Sequence, residues 1–284
     1  MDPHLLRTFV TVARLGSFSA AAEELGYTQS AISQQVAALE ADLGMPLLGR
    51  RPVAPTEAGE RLLEHAEPLL LRISAARADV RRTAGTPAHR LTLVATPLAL
   101  TSRLAVRLAR ALEEQPRLRV SVSTAGLPEV GTLVAAGEAE VGLVDGIAAP
   151  NDPLRLPEVG PLTAIGVGEE DLVVALPADH PLAGRSGLRL HDLVDAGWLQ
   201  TALCPVERLR DLMGEGFRVA MDYAGQDVHT VLNLVAAGLG LTLLPASLAR
   251  GVPLVAPRLV HRVEVLHGGL PPGPASRLVA TLTT

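Results

Sequence analysis

The sequence predicts an α+β multidomain protein with a small helical N-terminal region, one long helix, and a larger region where helices and strands alternate. The first observation is length: 284 residues exceed one average domain of about 150 residues. Second, apolar residues recur at helical spacing near the N-terminus, whereas strand-like runs separated by helical stretches begin at Leu91. Third, the intervening apolar residues repeat in alternating steps of four and three, which is typical of a long paired helix.

Composition restricts the possible function classes. Hydrophobic residues make up 48% and charged residues 19%, which is typical of packed cores and not of a disordered chain. The single cysteine, Cys204, excludes an intrachain disulfide framework and a multi-cysteine metal site. The first residues lack the basic-then-apolar order of a secretory signal.

Residues 228–249 carry no Asp, Glu or Arg, but Gly238, Gly240 and Pro245 interrupt them. We therefore favour a helix, a turn and a strand over a membrane span, and expect a soluble, cytoplasmic protein.

Capping residues and glycines divide the start of the chain into three helices. The first helix has apolar residues at helical spacing and ends at Gly16. Ser17 or Ser19 can cap a second helix, residues 20–25, which a glycine ends. Thr28 can then cap a third helix, so two short helices meet at a glycine-containing turn.

The third helix has two unlike faces. Its expected inner face is apolar and consists of Ile32, Val36, Leu39 and Leu43. Its outer face carries uncharged hydrogen-bonding side chains: Gln29, Ser30, Ser33, Gln34 and Gln35. Glutamine and serine can bind base edges or phosphates in the major groove, and the helix start at Thr28 can hold a phosphate. This pattern favours a DNA-reading helix-turn-helix, although a merely solvated face is the alternative.

Local cations follow the third helix. Arg50 and Arg51, before Pro52 and Val53, predict a tight β-ribbon wing that can place cations at the DNA backbone or minor groove. Residues 1–90 hold ten arginines and ten acidic residues, so the net charge of −5 falls on the rest of the chain. DNA binding must therefore use locally placed cations, because the chain has no broad basic surface.

A series of short motifs runs without a large gap from Phe9 to Gly59. They are Phe9-Val10, Gly16-Ser17-Phe18, Ala21-Ala22, Gln29-Ser30-Ala31-Ile32-Ser33, Leu39-Glu40, Leu43-Gly44, Pro46-Leu47-Leu48 and Ala58-Gly59. This series closely resembles the winged helix-turn-helix of LysR-type transcriptional regulators. The chemistry of the third helix and the wing predicts DNA contacts by Thr28, Gln29, Ser30, Ser33, Gln34, Arg50 and Arg51, and the resemblance agrees with this interface. Two departures are a wing, residues 49–55, shorter than usual, and Gln34 where many members carry arginine.

A further helix should begin at Glu57, with Thr56 as its cap. Its apolar positions are Leu62, Ala66, Leu69, Ile73, Ala76 and Val80. This heptad seam predicts a partner helix, with packing against the chain's own domains as the alternative. Pro68 removes one backbone hydrogen bond and should kink the helix. In LysR-type regulators the corresponding helix pairs with that of a second subunit, so the resemblance implies a homodimer or dimer of dimers. We expect Gly85, Thr86 and Pro87 to form the domain boundary.

Strands and helices alternate in the rest of the chain. We predict strands at residues 91–95, 118–123, 140–144, 172–176, 217–223 and 241–244. We predict helices at residues 101–114, 128–136, 190–195, 207–214, 229–237 and 274–282. This order favours a largely parallel sheet with right-handed crossovers.

Residues 172–183, with their Asp-His-Pro-Leu motif, and residues 235–245 resemble signatures of the LysR effector domain. The resemblance implies two α/β lobes joined by two crossing strands, near residues 164–168 and 260–266, similar to periplasmic solute-binding proteins. The expected domains are a winged helix-turn-helix at 1–58, a linker helix at 59–87 and an effector-binding domain at 88–284. Within the last, lobe I comprises about 88–163 and 262–284, and lobe II about 164–261.

Ligands in such folds bind at the carboxyl ends of strands, where loops and helix starts converge. The predicted effector-binding residues are Thr96, Leu98, Thr101, Ser102, Asp145 and Thr201. Thr96 and Thr201 match effector contacts of the family, whereas simple capping is the alternative for each threonine. Leu98 lies in a loop where some members carry polar groups, so we predict a fairly apolar effector.

The resemblance implies a sequence-specific transcriptional regulator whose partners are double-stranded DNA and a small-molecule effector, without a membrane partner. A solute-binding module or an α/β enzyme without a DNA role is the alternative. The first needs no helix-turn-helix, and for the second we find no convergent acid, base and nucleophile. The histidines show no paired metal spacing, so we expect no metal, cofactor or catalytic residue. Cys204 could be a redox thiol, but we favour a buried structural role.

Overall fold

The computed structural model describes residues 1–50, 52–83, 90–156, 162–214, 216–270 and 272–284, except the side chains of residues 50, 79 and 81–83. The chain divides into two compact units. The smaller unit consists mainly of Met1–Arg81, and the larger unit contains most of the remainder. The predicted boundary at Gly85, Thr86 and Pro87 and the wing residue Arg51 lie outside the described residues.

The smaller unit is a helix-turn-helix followed by a hairpin and a long helix. Its elements are α1 (Pro3–Leu15), α2 (Phe18–Leu25), α3 (Gln29–Leu43), β1 (Leu48–Arg50), β2 (Val53–Pro55) and α4 (Glu57–Thr83). The Thr28 hydroxyl accepts the Ala31 N–H, and the Ser17 hydroxyl accepts the Ala20 N–H, so Ser17 and not Ser19 caps α2. Gly16 and Gly26 end the first two helices in the left-handed conformation that glycine favours. The predicted division into three helices is confirmed.

The core of the smaller unit is formed by the apolar faces of α1, α2 and α3. Ile32, Val36 and Leu39 are buried, as predicted, and pack with Phe9, which is fully buried. Leu43 corrects the prediction, because its side chain is 36% exposed. It is the last residue of α3, where the chain turns away at the following glycine.

The larger unit contains the alternating elements. The first are β3 (Arg90–Ala95), α5 (Ser102–Glu114), β4 (Arg119–Thr124), α6 (Leu127–Ala136), β5 (Val141–Ala148) and β6 (Thr163–Ala175). They are followed by β7 (Leu188–Arg189), a 3₁₀ turn (Leu190–Leu193), β8 (Gly197–Thr201), α7 (Val206–Met213), β9 (Arg218–Tyr223) and α8 (Val228–Ala236). The last are β10 (Thr242–Pro245), β11 (Val252–Ala256), β12 (Val260–His267) and α9 (Pro274–Thr283). The two-lobed α/β architecture is confirmed.

The main sheet is mixed, which corrects the expectation of a largely parallel sheet. Its order is β4-β3-β5-β12-β6-β11-β7, with β10 also paired to β6, and β8 and β9 form a separate parallel pair. Strands β3, β4 and β5 are parallel, but β12 is antiparallel to both β5 and β6. The expected crossing at 164–168 and strand at 172–176 form one strand, β6, because hydrogen bonding continues along its whole length.

Each lobe has its own apolar core. In lobe I, Leu278 and Leu282 of α9 pack with Leu91 and Leu93 of β3, so the C-terminal helix closes the lobe that the first strand begins. In lobe II, Trp198 and Phe217 pack edge to face with ring centroids 5.6 Å apart.

Within the described ranges, every helix is too short or too polar to cross a membrane. Residues 228–245 form α8, a turn and β10, as the interruptions by glycine and proline predict.

Cys204 belongs to the lobe II core and is fully buried. Burial raises the pKa of its thiol, because the thiolate would lose its hydration. The favoured structural role is therefore supported over a reactive thiol.

We expect the Cys204 thiol to resist 5,5′-dithiobis(2-nitrobenzoate) in the native protein between pH 7 and 9, and to react fully in guanidinium chloride. The pKa of this thiol is higher in the folded state than in the unfolded state. Its ionisation therefore leaves the free energy of unfolding unchanged at pH values below the unfolded-state pKa, and lowers that free energy as pH rises above the unfolded-state pKa. The free energy of unfolding of the parent should therefore fall more above pH 9 than that of Cys204→Ala. Rapid stoichiometric labelling of the native protein would contradict the buried assignment.

Candidate functional site

The outer face of α3 presents a continuous uncharged polar surface. Thr28, Gln29, Ser30, Ser33 and Gln34 are all exposed. The Thr28 hydroxyl lies 3.0 Å from that of Ser30 and also caps the helix. The structure therefore brings the predicted α3 contacts together on one accessible face.

Gln35 does not belong to that surface, which corrects the predicted outer face. The Thr8 hydroxyl donates to Gln35 Oε1 at 2.6 Å, so this glutamine ties α3 to α1. Helical geometry explains the difference, because adjacent residues on a helix are about 100° apart.

The wing is an antiparallel hairpin in which Arg50 is paired with Val53 at the tip. Glu40 of α3 anchors it, because its Oε1 accepts the N–H groups of Leu47 at 2.8 Å and Leu48 at 3.2 Å. Gly59 allows the close approach of α4, since a Cβ there would lie 2.1 Å from the Leu47 carbonyl oxygen. The backbone of Arg50 is thus held at a defined position beside α3.

The larger unit contains a cavity of about 470 Å³ between its lobes. Its lobe I wall contains Thr96, which follows β3, Asp145 of β5 and the residues that begin α6. Its lobe II wall contains Leu203 and Arg208, from the β8–α7 loop and α7. The lobe I wall lies at the carboxyl ends of the parallel strands, where such folds place their ligands.

Thr96 and Asp145 form a buried hydrogen-bonded pair in that wall. The Thr96 hydroxyl donates to Asp145 Oδ1 and accepts the Asp145 N–H at 2.9 Å. Asp145 Oδ2 lies 3.1 Å from Nε2 of His261, whose side chain is 3% exposed. The pair is therefore held rigidly, and one carboxylate connects the cavity wall to β12.

Other predicted effector residues lie elsewhere. Leu98 is buried with Leu199 and Val231 in an apolar cluster. Thr201 is 2% exposed, and its hydroxyl accepts N–H groups of the following turn at 3.1 and 3.2 Å. Thr101 caps α5, and with Ser102 it lines a second cavity of about 260 Å³. Of the predicted set, only Thr96 and Asp145 line the first cavity.

Sequence reasoning missed the polar residues that complete the first cavity. These are Arg155, Arg208, Asp211 and Gln226. Nε and Nη2 of Arg208 each donate to the Ile147 carbonyl at 3.2 Å, so α7 of lobe II is bonded to β5 of lobe I. An arginine in the first turn of a helix carries no local signal for this role, because its target lies about sixty residues away in sequence.

Two helix starts meet the first cavity, and the residue at the N-cap position of each supplies no capping side chain. Gly126 precedes α6 and has no side chain, and Pro205 precedes α7 without a capping hydrogen bond. By contrast, hydroxyl or carboxylate side chains cap α1, α2, α3, α5 and α8. In α7, however, Gln200 Oε1 accepts the Val206 N–H at 2.7 Å, so it is the start of α6 that offers unpaired N–H groups to an acceptor in the cavity.

Comparison with known proteins agrees with these two units. Residues 3–60 match the family described as "Bacterial regulatory helix-turn-helix protein, lysR family", and residues 84–267 match "LysR substrate binding domain". The chain is 34% identical to the probable hydrogen peroxide-inducible genes activator of Mycobacterium avium, over 89% of this chain and 79% of that protein. It is 30% identical to the Hca operon transcriptional activator HcaR of Escherichia coli K12, over 86% of this chain and 82% of that protein.

Solved structures show the same architecture. The LysR family regulator CbnR superposes with a TM-score of 0.56 at 24% identity, covering 99% of this chain and 98% of CbnR. Full-length CbnR complexed with its target DNA gives a TM-score of 0.54 at 25% identity, covering 99% of each chain. With its N-terminal helix-turn-helix DNA-binding domain and C-terminal effector-binding domain, this chain belongs to the LysR family of bacterial transcriptional regulators.

Proposed function

We propose that this regulator binds its operator as a homo-oligomer through α3 and the wing, and that a small organic acid in the first cavity controls it. The observation that carries the proposal is the exposed, uncharged hydrogen-bonding face of α3, on a unit with its own core. In this role the protein acts in the cytoplasm, where the DNA is, and without catalysis. It binds DNA at one site, α3 with the wing, and the effector at a second site, the first cavity.

The DNA contacts follow from the chemistry of the α3 face. Gln29 and Gln34 can each make paired hydrogen bonds to an adenine edge, and Ser33 can contact a base or a phosphate. The exposed helix start at Thr28 suits a phosphate. Arg50 and Arg51 supply cations for the backbone or minor groove, so affinity should fall with salt.

Substitution of the α3 face tests this assignment. We expect the double variant Gln29→Ala, Ser33→Ala to lose about 1–3 kcal/mol of discrimination between specific and random DNA, because base contacts are removed. The measurement is a band-shift titration on a site selected from random-sequence duplexes. Gln35→Ala is the matched control, since it loses the Thr8 bond and some stability but retains discrimination. A double variant as selective as the parent would contradict the proposed DNA interface.

Subunit pairing is proposed through α4. The first part of the seam packs within the smaller unit, where Ala66 is fully buried and Leu62 is half-buried. Farther along, Leu69 is 38% exposed and Ala76 is exposed, although both lie on the apolar seam. A second copy of the same helix would cover these residues, and two copies present two α3 helices to two half-sites. The helix continues through Pro68.

A charge on the seam should separate the subunits. We expect Leu69→Asp to weaken dimerisation by at least about tenfold, because a carboxylate would be buried against its symmetry mate. Sedimentation equilibrium of the full chain measures it. Ser74→Asp adds the same charge to the same helix off the seam and should leave the dimer intact. Equal dimerisation of the two variants would exclude α4 as the pairing element.

The walls of the first cavity favour an anionic effector with an apolar body. The uncapped start of α6 and the guanidinium groups of Arg155 and Arg208 favour negative charge. Leu127, Leu154 and Leu203 offer apolar surface, as the sequence-based expectation of an apolar effector requires. The structure-based proposal adds an acidic group to this apolar effector. Because both lobes form the walls, the ligand can shift the regulator by its differential affinity for two lobe arrangements.

A panel of small organic acids tests the effector site by thermal unfolding of the full chain. A ligand at a hundred times its Kd stabilises by about 2.7 kcal/mol, so at least one acid should raise the melting temperature of the parent. Thr96→Val and Arg208→Gln should lose that increase, whereas Arg185→Gln, an exposed arginine outside the cavity, should retain it. Thr201→Val should lower basal stability but keep the response. Equal stabilisation of parent and Arg208→Gln, or no stabilisation by any acid, would contradict the assignment.

A further inference from the structure

The second cavity, of about 260 Å³, lies within the larger unit between the first turn of α5, β6 and β12. Its rim carries exposed polar residues, Ser102, Arg103 and Ser247. Its wall also contains Glu170 and the buried His261. Neither the Glu170 carboxylate nor the His261 imidazole has a role in the effector contacts proposed above.

The hydrogen bonds around His261 determine which ring nitrogen carries the proton. Asp145 is already an acceptor for the Thr96 hydroxyl, so its second oxygen faces Nε2 of His261 as another acceptor. Nε2 therefore carries a hydrogen, and in the neutral ring Nδ1 is left with a lone pair.

That lone pair has no donor. Nδ1 of His261 is buried without a hydrogen-bond partner among the described residues, and it lies 3.5 Å from Oε1 of Glu170. Two acceptors thus face each other at a buried position, which is unfavourable unless one donor group bonds to both of them. A cationic N–H group would bond to both atoms and neutralise the carboxylate.

The other end of the cavity has the opposite polarity. α5 is 13 residues long, and its positive end lies at Ser102 and Arg103. Thr101 caps the N–H of Leu104, which leaves the N–H groups of Ser102 and Arg103 in the first turn for an external acceptor. The Arg103 guanidinium has no ion pair within the described ranges. A proton on Nδ1 would satisfy His261 but would leave this positive end without a counter-charge.

We propose that the second cavity binds a small zwitterion, an amino-carboxylic acid. Its ammonium group donates to both Nδ1 of His261 and Oε1 of Glu170 from the cavity side, and its carboxylate lies at the first turn of α5 beside Arg103. The same hydrogen-bonded chain continues from His261 through Asp145 to Thr96, which line the first cavity. Occupancy of the second cavity therefore changes affinity at the first, a consequence that rests on the proposed effector function, whereas binding itself does not.

Glycine is the smallest probe with both charges, and acetate and methylammonium are its separate halves. The full chain is labelled with [¹⁵N]histidine, and His261→Gln assigns the ring signals of His261 among the eight histidines. At pH 8, glycine should shift the His261 ring nitrogens in a saturable manner, with acetate and methylammonium binding more weakly. Glu170→Gln should weaken glycine binding by about tenfold or more, because a charge-assisted hydrogen bond is lost.

Two further variants complete the experiment. Arg103→Gln, on the exposed rim, should weaken glycine binding several-fold but leave methylammonium binding unchanged. Glu114→Gln, at the opposite end of α5, is the matched control and should bind glycine as the parent does. Unchanged His261 signals, or equal binding by the parent and Glu170→Gln, would overturn the proposal. So would a His261 ring that is doubly protonated at pH 8 and unresponsive to glycine, because a proton would then occupy the gap.

Discussion

β12 forms hydrogen bonds with β5 on one side and β6 on the other, and the larger unit depends on this pairing. The chain passes into lobe II along β6 and returns to lobe I along β12, so both connections between the lobes lie in adjacent antiparallel strands. A shift of one residue in their register would turn every side chain to the opposite face. The register therefore determines the walls of both cavities at once.

Charged side chains on β12 make that register specific. Arg262 donates to Glu264 at 2.6 Å and to Glu169 at 2.5 Å. The hydrogen bond to Glu264 raises the pKa of the Arg262 guanidinium above its ordinary value. Glu264 is 1% exposed, so its carboxylate would be costly without this partner. On the other face, His261 lies between Asp145 and Glu170. Any slipped pairing would bury these charges without partners, and this favours a single arrangement of the crossing strands.

The smaller unit is a DNA-binding domain without a large positive charge, although DNA is a polyanion. Residues 1–90 are neutral overall, so recognition depends on where a few groups are held. Core packing of α3 against α1 leaves Gln29, Gln34 and the serines on the exposed face. Glu40 and Gly59 hold the wing close to α3 and to the start of α4. In the proposed DNA interface, specificity comes from rigid placement of hydrogen-bonding groups, and the arginines of the wing add affinity.

Local signals in the sequence were sufficient for the family and for most elements, although residues 190–195, predicted as a helix, form only a 3₁₀ turn at Leu190–Leu193, and β7 and β11 were not predicted. Thr28 as a cap, Gly16 as a helix end and the polar face of α3 all act within one or two helical turns, so they are readable from the chain alone. Thr96 and Asp145 were also found, because both follow or end a predicted strand. The antiparallel direction of β6 and β12, the inward Gln35 and the arrival of Arg208 at the first cavity depended on tertiary structure. These features join residues far apart in the chain, and no local preference encodes which distant strand or carbonyl group a residue will meet.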